Sequence, residues 1–193
     1  MADMTRKGYG QVEPNHLSAQ YTAQIYAQLP AMTGTTTGEG TSAVTTYAPT
    51  TQLENGQFLK YDYANGRAGT TGDIEWMMVF NEVKLYDERR QAYKDFAMLA
   101  DTQADKTIYP RLLKINVGDI FTTNTFRTSG NATVTGPDAE ITMPELSVGN
   151  YVTIDADGWL KKADSKGDGM AFQVVKVYTL ADKQDAVKLQ RIQ

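Results

Sequence analysis

Two stretches of the chain share the same order of apolar and polar positions. Residues 170–178 read MAFQVVKVY, an apolar, β-branched and aromatic run that is typical of a largely buried strand. Residues 78–86 read MVFNEVKLY and share methionine, phenylalanine, valine, lysine and tyrosine at equivalent positions. The match predicts that one small β-unit occurs twice in the chain.

The similarity extends towards the N-terminal side of both stretches. Turn-forming Asn65-Gly66 corresponds to Asp157-Gly158 once a single residue is deleted from the second copy. Before these turns, five positions of the first copy match the second in order and spacing: Leu53, Gly56, Phe58, Leu59 and Asp62 match Leu146, Gly149, Tyr151, Val152 and Asp155. A rival match, Val117-Gly118 with Val148-Gly149, lies at a different spacing, so chance similarity of glycine turns stays an alternative to duplication.

These patterns predict a mainly β protein of two tandem small antiparallel β-modules, barrel or sandwich-like. The first module covers residues 53–117, with strands at 58–63 and 74–86. It carries an inserted helix at 87–101, which Asp87 can cap. Residues 118–145 form a connection, and the second module covers residues 146–193.

Residues 1–52 are predicted to form an N-terminal arm, partly extended and partly helical. Leu17, Tyr21, Ile25 and Leu29 recur every four residues and form one apolar stripe on a helix over 16–29. The stripe either packs on its own domain or docks on a neighbouring subunit. Residues 33–51 hold nine threonines and three glycines, a composition typical of a linker.

Composition removes several classes of function. The chain has 193 residues, no cysteine and one histidine, His16, which argues against disulfides, thiolate metal sites and multi-histidine sites. A net charge of −4 argues against a nucleic-acid partner, which usually needs a basic face. No stretch approaches the length of a membrane span, so we expect no membrane partner.

The acidic clusters do not match a known cation loop. In the cluster that starts at Asp155, glycine comes at the fourth position, whereas a calcium loop of the EF-hand type needs it at the sixth. In the cluster that starts at Asp164, Lys166 occupies a ligand position and would repel a cation. We therefore expect both clusters to be turns, with no metal and no cofactor.

Other residues with chemical potential have simpler structural explanations. Glu75, Glu82, Asp87 and Glu88 could supply a carboxylate pair for hydrolysis, but spacing alone does not establish one. Trp76 and Trp159 could stack on a sugar in a carbohydrate-binding module. Trp76 lies within an apolar run, and Trp159 follows a turn, where an exposed tryptophan more often marks a protein interface. No catalytic residue is predicted.

Three stretches and the Thr/Gly-rich N-terminal region together resemble the auxiliary capsid proteins (head decoration or cement proteins) of tailed bacteriophages. The stretches are NGQFLKYD at 55–62, VGNYVTID at 148–155 and DGWLKKADSKGDGMAFQVVKV at 157–177. The resemblance covers mainly residues 53–86 and 146–193.

The resemblance implies a structural virion protein, made in the host cytoplasm, that binds the outside of a capsid shell and bridges its subunits. It implies the major capsid protein as partner, a homo-oligomer such as a trimer, and no catalysis. Leu17, Tyr21, Ile25, Leu29 and Trp159 are then the candidate interface residues. A tail-tube or head-completion protein is the alternative within the same class, and a carbohydrate-binding module or small glycan hydrolase is the alternative from another class.

Overall fold

The architecture was analysed in a computed structural model that describes residues 4–18, 25–38, 41, 43–81, 97–99, 107–127, 139–180 and 182–193. The first nine strands are β1 Met4–Lys7, β2 Val12–His16, β3 Ile25–Tyr26, β4 Met32–Thr37, β5 Val44–Pro49, β6 Gln52–Glu54, β7 Phe58–Asp62, β8 Arg67–Gly69 and β9 Met77–Val79. The others are β10 Ala97–Leu99, β11 Leu112–Leu113, β12 Ile120–Thr123, β13 Glu140–Met143, β14 Tyr151–Ile154, β15 Leu160–Ala163, β16 Ala171–Thr179 and β17 Asp185–Arg191.

The prediction of a mainly β, sandwich-like protein is confirmed. A five-stranded sheet has the order β3-β11-β9-β7-β8, and a six-stranded sheet has the order β15-β14-β16-β17-β12-β2. Three two-stranded sheets pair β1 with β13, β6 with β10 and β4 with β5. Every strand pair is antiparallel, and the described strands form no closed barrel.

The two halves of the chain build sheets with the same order of strands. In the first half, β8-β7-β9-β11 are neighbours, and in the second half β15-β14-β16-β17 are neighbours in the same sense. Each half also places a glycine with positive φ at the tip of its hairpin, Gly66 at 64° and Gly158 at 83°. The hairpin β7–β8 and the hairpin β14–β15 therefore occupy equivalent positions, as the sequence match predicts.

The match between residues 78–86 and 170–178 is wrong in register. The Gly56 amide donates to the Val79 carbonyl at 2.8 Å, and the equivalent Gly149 amide donates to the Val174 carbonyl at 2.8 Å. Val79 is thus equivalent to Val174, three positions beyond the partner that side-chain identity selects. Backbone hydrogen bonds set this register, because they fix which residues face each other across the ladder.

The rival glycine turn is also real in the structure. The Gly118 amide donates to the Arg191 carbonyl at 2.9 Å, and the Arg191 amide donates back to the Asp119 carbonyl at 3.0 Å. Gly56, Gly118 and Gly149 have φ values of 88°, 96° and 90°, which glycine adopts without steric cost. The same kind of glycine turn therefore precedes each of three strands, β7, β12 and β14.

Both halves contribute to one common hydrophobic core. Phe58 of β7 lies 5.7 Å from Phe172 of β16 between ring centroids, and Phe172 lies 5.6 Å from Phe121 of β12. All three rings are fully buried. A second, smaller cluster around Leu59, Tyr61, Met77 and Leu112 lies on the other side of the five-stranded sheet. Residues of both predicted modules, and Phe121 of the segment that connects them, therefore meet in one core.

Three local predictions fail where the structure describes the residues. His16 ends strand β2 and residues 25–26 form β3, so a continuous helix over 16–29 is wrong; residues 19–24 lie outside the described residues. The Thr/Gly-rich segment forms the hairpin β4–β5 rather than a linker. Residues 97–99 are a strand where the inserted helix was expected, and the rest of 87–101 lies outside the described residues.

The helix prediction was wrong because apolar residues spaced four apart also lie on one face of an extended strand, where they can contact other strands. Residues 12–16 pair with β12, and residues 25–26 pair with β11, through backbone hydrogen bonds between antiparallel strands. Tertiary hydrogen bonds of this kind override a weak local preference for helix.

Two equivalent turn glycines allow a matched test of the packing between the halves. At Gly158 an added Cβ would lie 2.1 Å from the Phe58 carbonyl oxygen, whereas at Gly66 it would meet nothing within 4 Å. We expect Gly66→Ala to cost about 1 kcal/mol from the positive φ. Gly158→Ala should cost roughly 2 kcal/mol more, because backbone must move. Urea denaturation midpoints of the two variants measure the difference, and equal midpoints would contradict the shared core.

Candidate functional site

The candidate interface residues are placed very differently by the fold. Leu17 is fully buried in the common core, and Trp159 is 5% exposed. Leu29 is half-buried and packs on the smaller core cluster. Ile25 pairs with Leu113 through the backbone, and Tyr21 lies outside the described residues. Leu17 and Trp159 therefore serve the chain's own fold, and the expectation that they form an exposed interface is wrong.

The N-terminal segment is part of the fold rather than a free arm. Strand β1 pairs with β13, and β2 forms the edge of the six-stranded sheet against β12. Met4 and Arg6 are buried, and the amides of Thr5 and Lys7 donate to side chains of Asp185 and Gln184. The segment over 4–17 is thus docked on its own chain.

A buried ionic cluster joins this segment to both halves of the chain. Arg6 Nη1 lies 3.1 Å from Glu54 Oε2, and both side chains are at most 1% exposed. The Gly10 amide donates to the same oxygen at 3.0 Å. Arg127 Nη2 lies 3.7 Å from Glu54 Oε1, and its guanidinium stacks on the Trp159 ring at 3.6 Å from the centroid.

Two arginines share one carboxylate in this cluster. Burial lowers the pKa of Arg127, while Glu54 raises it and Arg6 lowers it further. Glu54 Oε1, Arg6 Nε, Arg6 Nη2 and Arg127 Nε are buried and have no hydrogen-bond partner among the described residues. The ion pairs of the cluster connect the N-terminal segment, the first half and the second half of the chain.

A cavity of about 300 Å³ lies beside this cluster, between the root of the β4–β5 hairpin and the second half of the chain. Its walls include Leu53, Leu59 and the buried Trp159, and its polar lining includes Gln57, Arg127 and Asp157 together with several threonines. We call it the Trp159 cavity.

The β4–β5 hairpin is the most exposed element. Residues 33–38 and 43–46 are exposed, as are Ala48 and Pro49. The two strands run in full register from Met32 opposite Pro49 to Thr37 opposite Val44. Hydroxyl pairs reinforce the ladder, Thr33 with Thr50 at 2.9 Å and Thr36 with Thr45 at 2.8 Å. Near the root, the Arg67 guanidinium stacks on the Tyr47 ring at 3.3 Å.

The acidic clusters behave as turns. Asp155 Oδ1 accepts from the Asp157 amide at 3.0 Å and from the Trp159 amide at 2.8 Å, which closes the β14–β15 hairpin. Within the described part of the chain, no three histidine, aspartate or glutamate side chains are grouped as a metal site would need. The Asp155 carboxylate therefore stabilises the turn through these backbone amides.

Of the four candidate carboxylates, the structure describes Glu75. Glu75 forms ion pairs with Lys114 at 3.1 Å and with Arg191 at 2.9 Å. Burial tends to raise the pKa of Glu75, but the hydrogen bonds from Lys114 and Arg191 outweigh it and hold the pKa below its ordinary value. Glu82, Asp87 and Glu88 lie outside the described residues.

The tryptophan pair is not a flat binding platform. Lys60 Nζ lies 4.8 Å from the centroid of the half-buried Trp76 ring, and Arg127 covers one face of Trp159. Both rings therefore already hold a cation of their own chain. The hypothesis that a sugar stacks flat on exposed faces of the two rings is therefore not supported.

Comparison of the chain with protein-family profiles, with curated proteins and with solved structures found no match. None of the helices in the described residues is long and apolar enough to cross a membrane.

Sequence reasoning missed the ionic cluster and the cavity. Arg6, Glu54 and Arg127 come from three distant parts of the chain, and no local spacing relates them. Arg6 lies in the segment predicted as an arm, and Arg127 lies in the segment predicted as a connection. Because neither segment was expected to be buried, nothing in the sequence suggested pairing these arginines with a buried carboxylate.

Removing the shared carboxylate should destabilise the protein strongly. Glu54→Gln leaves Arg6 and Arg127 buried without their anion, and breaking one partner of such a buried pair costs about 3 kcal/mol or more. Thermal or urea unfolding measures the loss. Glu145→Gln is the matched control, because Glu145 is exposed and its carboxylate makes no ion pair within the described residues, and it should leave stability unchanged. A loss under about 1 kcal/mol for Glu54→Gln would show that the cluster does not hold the N-terminal segment.

The ion pairs of Glu75 predict a specific acid sensitivity. Because its folded pKa is lower than its unfolded pKa, the ionised carboxylate stabilises the fold at pH values above the unfolded value. That contribution is lost as the pH falls through the folded value. Glu75 is 35% exposed, so solvent screening limits the effect to less than about 1 kcal/mol. We expect Glu75→Gln to lower the urea midpoint at neutral pH, and this deficit to shrink when the midpoint is measured at a pH below the unfolded pKa of glutamate. An equal deficit at both pH values would contradict this account.

Proposed function

We propose that this protein is a non-catalytic structural component of a tailed-bacteriophage virion that binds the outside of the capsid shell and bridges neighbouring capsid subunits. The major capsid protein is its partner, and the protein acts as a homo-oligomer. The observation that carries the proposal is the exposed β4–β5 hairpin. The resemblance of residues 53–86 and 146–193 to head decoration proteins supplies the kind of partner.

The hairpin has the physical properties of a contact element. An isolated two-stranded hairpin is only marginally stable in water, so further contacts stabilise it. Strand β4 carries no charge and no proline, the devices by which edge strands usually avoid pairing. Six residues of strand span roughly 20 Å, enough to reach across a subunit boundary. A partner's strand or surface can satisfy the backbone groups that face solvent.

The rest of the described chain suits a binding role. Asp155 closes a turn, Glu54 and Glu75 form ion pairs, and the buried Arg6 pairs with Glu54 within the fold. Shell stabilisation by such a protein follows from mass action over many copies, each of which binds the assembled shell in preference to separate subunits. Oligomerisation raises the effective affinity further, because several contacts then act together.

The direct test is binding to purified empty capsids assembled from the major capsid protein of the same phage. We expect the protein to co-sediment with the capsids and to raise their melting temperature. Locating the chain by labelling in whole particles distinguishes the head surface from the tail tube or the connector. Absence of binding, together with a label on the tail, would replace this proposal with a tail-tube or head-completion role.

A pair of valine substitutions separates hairpin contact from general surface effects. Val44 of β5 is 59% exposed and Val117 at the remote glycine turn is 65% exposed. We expect Val44→Lys to weaken capsid binding at least tenfold while the protein's own melting temperature is unchanged. Val117→Lys, the matched control, should bind as the unmodified protein does. Equal binding by both variants would exclude the hairpin as the contact element.

A further inference from the structure

The Trp159 cavity combines a volume, a lining and a charge balance that a ligand site requires. Its volume of about 300 Å³ lies at the lower end of the range of small-molecule sites. Apolar side chains of Leu53, Leu59 and Trp159 form part of its wall, and hydrogen-bonding side chains converge on the same space. Gln57 is 9% exposed and Trp159 is 5% exposed, so the polar groups of both are held in place by packing.

The carboxylate at the base of the cavity keeps one oxygen unsatisfied. Glu54 is 1% exposed, and its Oε2 is used by Arg6 Nη1 and by the Gly10 amide. Among the described residues, its Oε1 has no hydrogen-bond partner. Glu54 and Arg127 both line the cavity, and Oε1 lies 3.7 Å from Arg127 Nη2. Oε1 is therefore ion-paired with a residue of the cavity wall without a hydrogen bond to it.

The charges around the cavity cancel. Glu54 and Asp157 contribute two negative charges, Arg127 contributes a positive charge from the wall, and Arg6 neutralises Glu54 from behind. Because these charges balance, the cavity gives neither a cationic nor an anionic ligand a net electrostatic attraction that would offset the cost of its desolvation. A neutral ligand rich in hydroxyl groups avoids this cost. Such a ligand can donate to carboxylates, accept from arginine and amide groups, and place its C–H surface on apolar side chains.

We propose that the Trp159 cavity binds a small neutral saccharide, held by Asp157, Gln57, Arg127 and the threonine hydroxyls at the hairpin root, with Trp159 and the leucines as its apolar wall. The site differs from a flat aromatic platform, because the sugar enters a recess and Trp159 presents only its uncovered part. It does not depend on capsid binding, and its test uses the isolated protein.

The chain contains two tryptophans, so indole N–H resonances in ¹H–¹⁵N spectra provide a built-in control. Trp76→Phe assigns the two signals. The sugar probes are N-acetylglucosamine and the methyl glycosides of glucose, galactose and mannose. The cationic probe is Nα-acetyl-lysine amide, which keeps its side-chain ammonium group. We expect at least one sugar to shift the Trp159 indole signal saturably while the Trp76 signal stays fixed, and the lysine probe to shift neither.

Two substitutions then locate the binding site. Asp157→Asn keeps the size of an exposed side chain but removes one of the two carboxylates that line the cavity, and it should weaken sugar binding roughly tenfold. Asp168→Asn is the matched control in the remote turn, and it should leave the affinity unchanged. The proposal is overturned if no sugar moves the Trp159 signal, if only the lysine probe moves it, or if both variants bind equally.

Discussion

The sharing of one buried carboxylate by two arginines is the interaction on which the arrangement of the chain depends. Glu54 receives Arg6 from strand β1 and faces Arg127, which follows strand β12. Arg127 in turn lies on Trp159 at the hairpin of the second half. A charge at this depth is tolerated only if it is paired and hydrogen-bonded. The N-terminal segment, the first half and the second half must therefore meet in one relative position.

The glycine turn explains how the sheets reach that position. Gly56, Gly118 and Gly149 each start a strand that lies between two antiparallel neighbours, and each donates its amide to the strand that returns beside it. The surroundings of the three turns differ. At Gly56 an added Cβ would lie 2.6 Å from Thr125 Oγ1, whereas Gly118 and Gly149 face open space. The turn at Gly56 is therefore packed against Thr125, whereas the turns at Gly118 and Gly149 lie at the surface.

The sequence predicts where strands and hairpins lie better than it predicts their contacts. The strand expected at 170–178 is found as β16, although Val175 and Val177 are exposed rather than buried, and the two hairpins lie where the Asn-Gly and Asp-Gly signals place them. The register between the repeats is wrong by three residues, because identity at Met, Phe and Lys positions says nothing of which amide meets which carbonyl. The ionic cluster could not be predicted from the sequence for a related reason. Its three residues are far apart in the chain and come together only in the folded structure.

The exposed threonines of β4 and β5 show how the same composition can have two structural outcomes. Threonine and glycine supply too little apolar surface for an independent core, which is why residues 33–51 suggest a linker. Thr, however, is also a good strand residue, and paired hydroxyls across the hairpin offset part of the cost of order. Arg67 on Tyr47 fixes the root of the hairpin to β8, while residues 35–38 and 43–46 of its outer part are exposed. An element that is anchored at its base and solvated at its edges is suited to pair outside its own chain. The segment that is least able to fold by itself is therefore the one through which we propose that the protein acts.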